Sequence, residues 1–323
     1  MSHLSIPKEI QLHTCLPVEN ELGEGVVWDA RQQCAFWTDI LGKQFYRWDF
    51  DDHITQYPCP ERLCSFGLTP EPDWFIVAFE SGFAFFNPIE QQIQWLTKVE
   101  ADLPYTRMND GKVDRQGRFW AGSMIEDDKV DANQLAKGKR AKLYRLTENG
   151  QAKPIFDDVI IANGLSFSSD GQTMYFADSL KQTVWRSEFS QPSDTSSRQE
   201  IFFETSGNAF PDGSCIDNQG YLWNAQWGSA SVKRYSPTGQ LDFTLPIDCL
   251  QPSCVSFGGP NLNHLIITSA RDGLPRGEDK KYNNNGAVFV YRTPYQGIAE
   301  PICTVPIRQQ YAAVETVSVS LKN

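Results

Sequence analysis

Four short segments carry the side chains best suited to chemistry: Leu22-Gly23-Glu24-Gly25, Arg107-Met108-Asn109-Asp110-Gly111-Lys112, Ala162-Asn163-Gly164-Leu165 and Pro211-Asp212-Gly213. Each sets a carboxylate or an amide beside glycine, which lets backbone approach a ligand closely. Two carboxylates brought face to face in a confined space repel unless a cation sits between them. Oxygen donors without a histidine or cysteine cluster favour a hard divalent ion, Ca²⁺, Mg²⁺ or Mn²⁺, with Zn²⁺ open through carboxylates. Polar residues also precede strands simply because turns need them. That reading suffices for one position and strains for four. Other chemistries lack their residues. There is no GxSxG elbow, and His3, His13, His53 and His264 all fall outside these segments, which disfavours a serine–histidine hydrolase. No phosphate-binding P-loop or GxGxxG unit occurs. The eight cysteines form no CxxC pair and read as reduced, packed thiols.

Residues spread from 24 to 212 can meet only if a fold gathers them, and an internal repeat supplies one. Val27-Trp28-Asp29 leading to Phe36-Trp37 matches Val113-Asp114 leading to Phe119-Trp120. Phe167 through Asp170-Gly171 to Tyr175-Phe176 matches Ile216-Asp217 through Gly220 to Leu222-Trp223. Leu68 to Phe75 and Phe257 to Ile266 are weaker copies. Each reads as strand, polar turn, strand. Third strands follow at Phe45–Trp48, Phe83–Phe86, Leu143–Leu146, Val184–Arg186, Val232–Tyr235 and Val288–Tyr291. Fourth strands are expected near Ile54, Ile93, 154–156, 201–203, 241–244 and 302–305. Four short strands recurring every 40–54 residues, six times, predict an all-β six-bladed β-propeller occupying residues 1–323 as one domain. Leftover strands near 9–14 and 314–321 are available to seal the ring edge.

In a propeller the first strand of each blade lines the channel. Four residues before the anchors Trp28, Leu68, Val113, Phe167, Ile216 and Phe257 stand Glu24, Cys64, Asn109, Asn163, Asp212 and Ser253. Two carboxylates and two amides therefore share one height around one mouth. Cys64, with no base nearby, reads as channel lining rather than nucleophile. Polar insertions at 126–140, 191–198 and 271–285 read as solvated loops, the first being a candidate lid.

A net charge of −11 argues against nucleic acid or an anionic membrane as partner. No apolar run is long enough to span a bilayer, and Pro7, Lys8, Glu9 and Gln11 stand where a signal peptide would need an apolar stretch. The expectation is a cytoplasmic protein.

The four segments, with Gly117-Arg118-Phe119-Trp120-Ala121-Gly122-Ser123-Met124, Tyr175 to Ser179 and Gly220 to Trp223, run in the order of the gluconolactonase/regucalcin (senescence marker protein) and luciferin-regenerating-enzyme family, which the chain resembles over nearly its whole length. The Arg107–Lys112 block is the most specific element. The resemblance implies a propeller with one divalent metal in its channel, held by Glu24, Asn163 and Asp212. It implies substrate contacts at Arg107 and Asn109, joined by an acidic residue after Met124, for which Glu126 and Asp127 both qualify. Val26 stands where the family often has proline, a change that alters only the stiffness of the strand start. The implied reaction is hydrolysis of a sugar lactone to the aldonic acid. In it the metal polarises the carbonyl, Asp212 acts as general base and Arg107 steadies developing negative charge. A different metal-dependent hydrolase or isomerase, or a non-catalytic calcium-binding or interaction propeller, is the alternative on this scaffold.

Overall fold

Alternating apolar and polar residues bounded by Asp, Asn and Gly turns build twenty-five strands in the computed structural model, and no helix forms among the described residues. The structure describes residues 6–51, 53–126, 138, 140–188, 199–274, 281–307 and 315–316. Most of the three polar insertions, and Asp127, lie outside them.

The strands make six antiparallel sheets, each running outward from an inner strand. The inner strands are Gly23–Asp29, Leu63–Leu68, Thr106–Val113, Ala162–Phe167, Phe210–Ile216 and Pro252–Gly258. Each packs on the next, and the sixth returns to the first, so the ring closes as the repeat predicts. Aromatic side chains fill the wedges between blades. Phe45, for example, meets Phe66 at 4.8 Å and Phe75 at 4.9 Å between ring centroids.

The repeat owes its Asp to turn chemistry. Asp114 accepts hydrogen bonds from the backbone N–H groups of Gln116 and Arg118, and from Trp120 Nε1 at 2.8 Å. Asp217 does the same for Gln219, Tyr221 and Trp223 and also holds Arg234 at 2.6 Å. Arg234 lies between the rings of Tyr221 and Tyr295, 3.7 and 3.9 Å from their centroids, and both partners of the ion pair are buried. Arg234→Ala strands the Asp217 carboxylate, and we expect a loss of about 3–5 kcal/mol of unfolding free energy in urea titrations. A loss below about 1 kcal/mol would show that water replaces the guanidinium.

Ring closure departs from expectation at one strand. The fourth strand of the last blade is not 302–305. Gln11–Leu16 takes that place, pairing antiparallel with Val288–Arg292 in the register Leu16↔Val288. A strand from the opposite end of the chain completes the last blade and ties the two ends of the ring together. Residues 302–305 instead cross beneath the channel. Ile302 bridges to Leu68, Cys303 N–H donates to the Leu68 carbonyl at 2.8 Å, and Thr304 N–H donates to the Gly117 carbonyl at 2.7 Å. Glu315–Thr316 extends the outer edge of the second blade against Gln92 and Ile93, away from the seam. The described part of the segment at 314–321 therefore does not seal the ring.

Candidate functional site at the channel mouth

All six inner strands carry a β-bulge at the predicted ring height. Between the pairs Glu24↔Thr38 and Val27↔Phe36 the inner strand holds one residue more than its neighbour. The same count holds between Met108↔Ser123 and Gly111↔Ala121, between Asn163↔Ala177 and Ser166↔Tyr175, and between Pro211↔Gln226 and Ser214↔Asn224. Bulges re-aim side chains, and here they turn consecutive residues toward the channel axis. Two bulges pass through the left-handed region at Gly25 (φ 61°) and Gly164 (φ 62°), conformations that side-chain-bearing residues rarely adopt. Asp39 and Asp178 brace the approach to two of these strands. Asp39 accepts the N–H groups of Glu21 and Leu22, and Asp178 accepts those of Ile160 and Ile161.

Glu24, Arg107, Asn109, Asn163 and Asp212 line one cavity of about 280 Å³. Met124, Ile161, Leu180, Phe210 and Trp227 add apolar side chains to the same lining. Two of the six ring positions do not reach it. Ser253 Oγ donates to the Gly23 carbonyl and shares a hydrogen bond with Thr268 Oγ1. Cys64 is buried beside Arg107, and burial pushes its thiol up to about 11, which removes it as a nucleophile at neutral pH.

Hydrogen bonds run from blade to blade along the floor. Arg107 Nη1 donates to Asn109 Oδ1 at 2.9 Å, and Asn109 Nδ2 donates to Asn163 Oδ1 at 3.2 Å and to the Ala162 carbonyl at 2.9 Å. Asn163 Nδ2 donates to Ser179 Oγ at 2.8 Å, which donates to the Pro211 carbonyl at 2.7 Å. Asn224 Nδ2 then holds the Asp212 carbonyl at 2.6 Å. Glu126 is not among the cavity-lining residues described. Its carboxylate sits 2.6 Å from Arg62 and 3.8 Å from Arg107.

Residues 22–271 match the family model described as SMP-30/Gluconolactonase/LRE-like region. The chain belongs to this family. An L-arabinolactonase of Azospirillum brasilense is 35% identical over 87% of this chain and 91% of its own length. A 6-deoxy-6-sulfogluconolactonase of Pseudomonas putida is 34% identical over 87% of this chain and 94% of its own. The solved structure of a calcium-binding protein, regucalcin of Agrobacterium tumefaciens, superposes with a TM-score of 0.81 at 25% identity, covering 90% of this chain and 97% of that one.

In this family member the floor is strongly acidic. Burial raises the Glu24 carboxyl to about 8, Asp110 adds to the effect, and Arg107 partly opposes it. Burial likewise lifts Asp212 well above the carboxylate range, with Glu24 and Asp110 contributing. Asp110 is the residue that reading by register missed. It occupies the bulge after Asn109, is itself raised by burial, and accepts the Leu165 N–H at 3.0 Å. Strict alternation sends residue 110 away from the channel when 109 points in, and only the extra bulge residue puts both on one side. The adjacent Gly111 was the available signal, since a Cβ there would come within 2.5 Å of the Trp120 carbonyl oxygen. Beneath Asp110 the Lys112 ammonium pairs with Glu300 at 3.3 Å, from the segment crossing the far mouth.

These raised carboxyls set a pH dependence. With Glu24 at about 8 in the folded metal-free protein and near 4.5 when unfolded, the folded state binds more protons across that window. The associated stability is complete below about 4.5 and is lost as pH rises through about 8. The metal-free protein should therefore melt at a higher temperature at pH 6 than at pH 8.5. Divalent cations should bind more tightly as pH rises through the same window, with proton release. Melting curves with EDTA, and titration calorimetry in two buffers of different ionisation enthalpy, test both signs. A pH-independent affinity with no proton release would remove Glu24 from the ligand set.

Proposed function

We propose that this protein hydrolyses a sugar lactone to the aldonic acid, using one divalent cation held by Glu24, Asn163 and Asp212. The observation carrying the reading is the convergence of two buried carboxylates and an amide on one cavity floor, beside Arg107 and Asn109. This donor set fits a hard cation. Among the described residues no cluster of three His, Cys, Asp or Glu side chains is close enough to hold a metal, so the third donor is the Asn163 amide. With its nitrogen committed to Ser179, the Asn163 oxygen is left as the ligating atom. Charge supports the same reading, since carboxyls driven upward by burial and by one another are groups that a cation returns to their ionised form.

A bound divalent cation supplies Lewis acidity to the lactone carbonyl. Asp212 receives a proton from the attacking water as its oxygen bonds to the carbonyl carbon. The ring C–O bond then breaks and the ring oxygen takes the proton back from Asp212, leaving the open-chain acid and the carboxylate free for another turnover. Arg107 offers guanidinium N–H groups to the developing oxyanion, and its bond to Asn109 fixes their direction. Relatives of 34–35% identity named as lactonases support this substrate class. The net charge of −11 supports a small-molecule rather than a nucleic-acid or anionic-membrane partner.

The deciding experiment incubates purified protein with a panel of pentono- and hexonolactones, with and without EDTA, and follows acid release. Turnover abolished by EDTA and restored by Ca²⁺, Mn²⁺, Mg²⁺ or Zn²⁺ is the expected result. Turnover indifferent to EDTA overturns the metal assignment. No turnover of any lactone overturns the reaction class and leaves the other hydrolase or isomerase, or the binding propeller, to be tested.

A further inference from the structure

We infer that Arg62, on the second blade, is a positioning residue that keeps Glu126 from capturing Arg107 and so leaves the Arg107 guanidinium aimed at the substrate cavity. This rests on the lactonase reading only for its kinetic consequence. Arg62 lies just before the inner strand Leu63–Leu68 and makes no direct contribution to the cavity wall. Its Nη1 meets Glu126 Oε1 at 2.6 Å, while its Nε meets Glu80 Oε2 at 2.6 Å and its backbone N–H meets Glu80 Oε1 at 3.3 Å. Glu80 is tied in turn through its backbone, donating to the Arg62 carbonyl at 2.8 Å and accepting from the Met108 N–H at 3.2 Å. The fork is thus fixed at both ends, one of them on the residue next to Arg107.

The geometry beyond Arg62 gives the fork a purpose. Glu126 Oε1 stands 3.8 Å from Arg107 Nε, too far for a hydrogen bond. Arg107 instead spends Nη1 on Asn109 Oδ1 and the Met108 carbonyl, both at 2.9 Å. A carboxylate in loose ion contact with a guanidinium edge normally closes into a two-bond fork, the strongest arrangement open to the pair. Arg62 prevents this by holding Glu126 in the closer contact. Without Arg62 the carboxylate can swing onto Arg107, rotate its plane and draw Nη1 from Asn109. Asn109 would then lose the partner that fixes its amide toward Asn163.

The test compares Arg62→Gln, Arg62→Lys, Glu126→Gln and the double variant Arg62→Gln/Glu126→Gln. Steady-state kinetics on a pentonolactone and a hexonolactone are read together with calorimetric Mn²⁺ affinity. Arg62→Gln should lower kcat/KM about five- to twentyfold, chiefly through KM, while Mn²⁺ affinity stays within about twofold. Arg62→Lys should recover part of the loss, since one ammonium can still hold Glu126. In the Glu126→Gln background, adding Arg62→Gln should cost less than about twofold, because the competing carboxylate is gone. A structural role for Arg62 would leave the loss equally large in both backgrounds, and that result overturns the inference, as does unchanged kcat/KM in Arg62→Gln. A crystal structure of Arg62→Gln decides the matter without activity: Arg107 forked on Glu126 supports the inference, and Arg107 still on Asn109 defeats it. If the parent enzyme turns over no lactone, the functional reading falls while this structural result still stands or fails by itself.

Discussion

Asp212→Asn should lower lactonase activity by roughly 10² or more, and raising the divalent cation until the site refills should not restore it. The substitution keeps an oxygen that can coordinate but removes the basicity and one negative charge. Two roles meet at this side chain, and saturating cation separates them. Weakened metal binding is overcome by mass action, whereas a missing proton acceptor is not. The fold should survive, because Asn224 and Ser179 hold the Asp212 and Pro211 carbonyls of this bulge, and the Asn oxygen can still accept the Gly213 N–H that Asp212 Oδ1 accepts at 3.0 Å. Full activity at saturating cation would leave Asp212 as a ligand only. Glu126 is poorly placed as a substitute base, being held by Arg62 at 2.6 Å away from the cavity wall. Asp110, whose carboxyl accepts the Leu165 N–H, would be the next residue to test.

Glu24→Gln should cost at least the 10- to 100-fold in divalent-cation affinity that loss of a mere supporting partner costs at metal sites. It removes one of the two carboxylates proposed as ligands at nearly constant volume. Its apo protein should also show a smaller fall in melting temperature between pH 6 and pH 8.5, because the group that burial and Asp110 push to about 8 is gone while the raised Asp212 and Asp110 remain. Titration calorimetry of EDTA-stripped protein reads the first effect, and melting curves read the second. Unchanged affinity would mean that the cation sits elsewhere in the channel, with Asp212 and Asp110 as the carboxylates to examine. In contrast to Asp212→Asn, activity in Glu24→Gln should return as cation is added, since no proton acceptor has been removed.

Much of this site was legible in the sequence because a propeller turns periodicity into position. Once Trp28, Val113, Phe167 and Ile216 are recognised as equivalent, equal offsets mean equal heights. Glu24, Asn109, Asn163 and Asp212 do line one cavity. The limits of that reasoning are equally physical. Equal height does not mean equal direction, and Ser253 spends its hydroxyl on Gly23 and Thr268 while Cys64 packs against Arg107. A pattern of period two cannot register a bulge, so Asp110 received no role of its own beside Asn109. Ring closure was ambiguous for a related reason. The segments at 9–14 and 302–305 are both short, and only pairing against Val288–Arg292 distinguishes them.

By itself the sequence determined the class of fold, the number of blades, the family and the four polar ring positions, since each depends on local pattern repeated along the chain. Tertiary structure alone decided what depends on contacts between distant segments. These are the seam made by Gln11–Leu16, the far mouth crossed by 302–305, the approach of Asp110 to Glu24 and Asp212, and the grip of Arg62 on Glu126. The division follows from the range of the forces. Strand periodicity and turn chemistry act over a few residues and leave a readable trace in order and spacing. Carboxyl ionisation, ion-pair competition and edge pairing depend on distance through space, which the order of residues does not record.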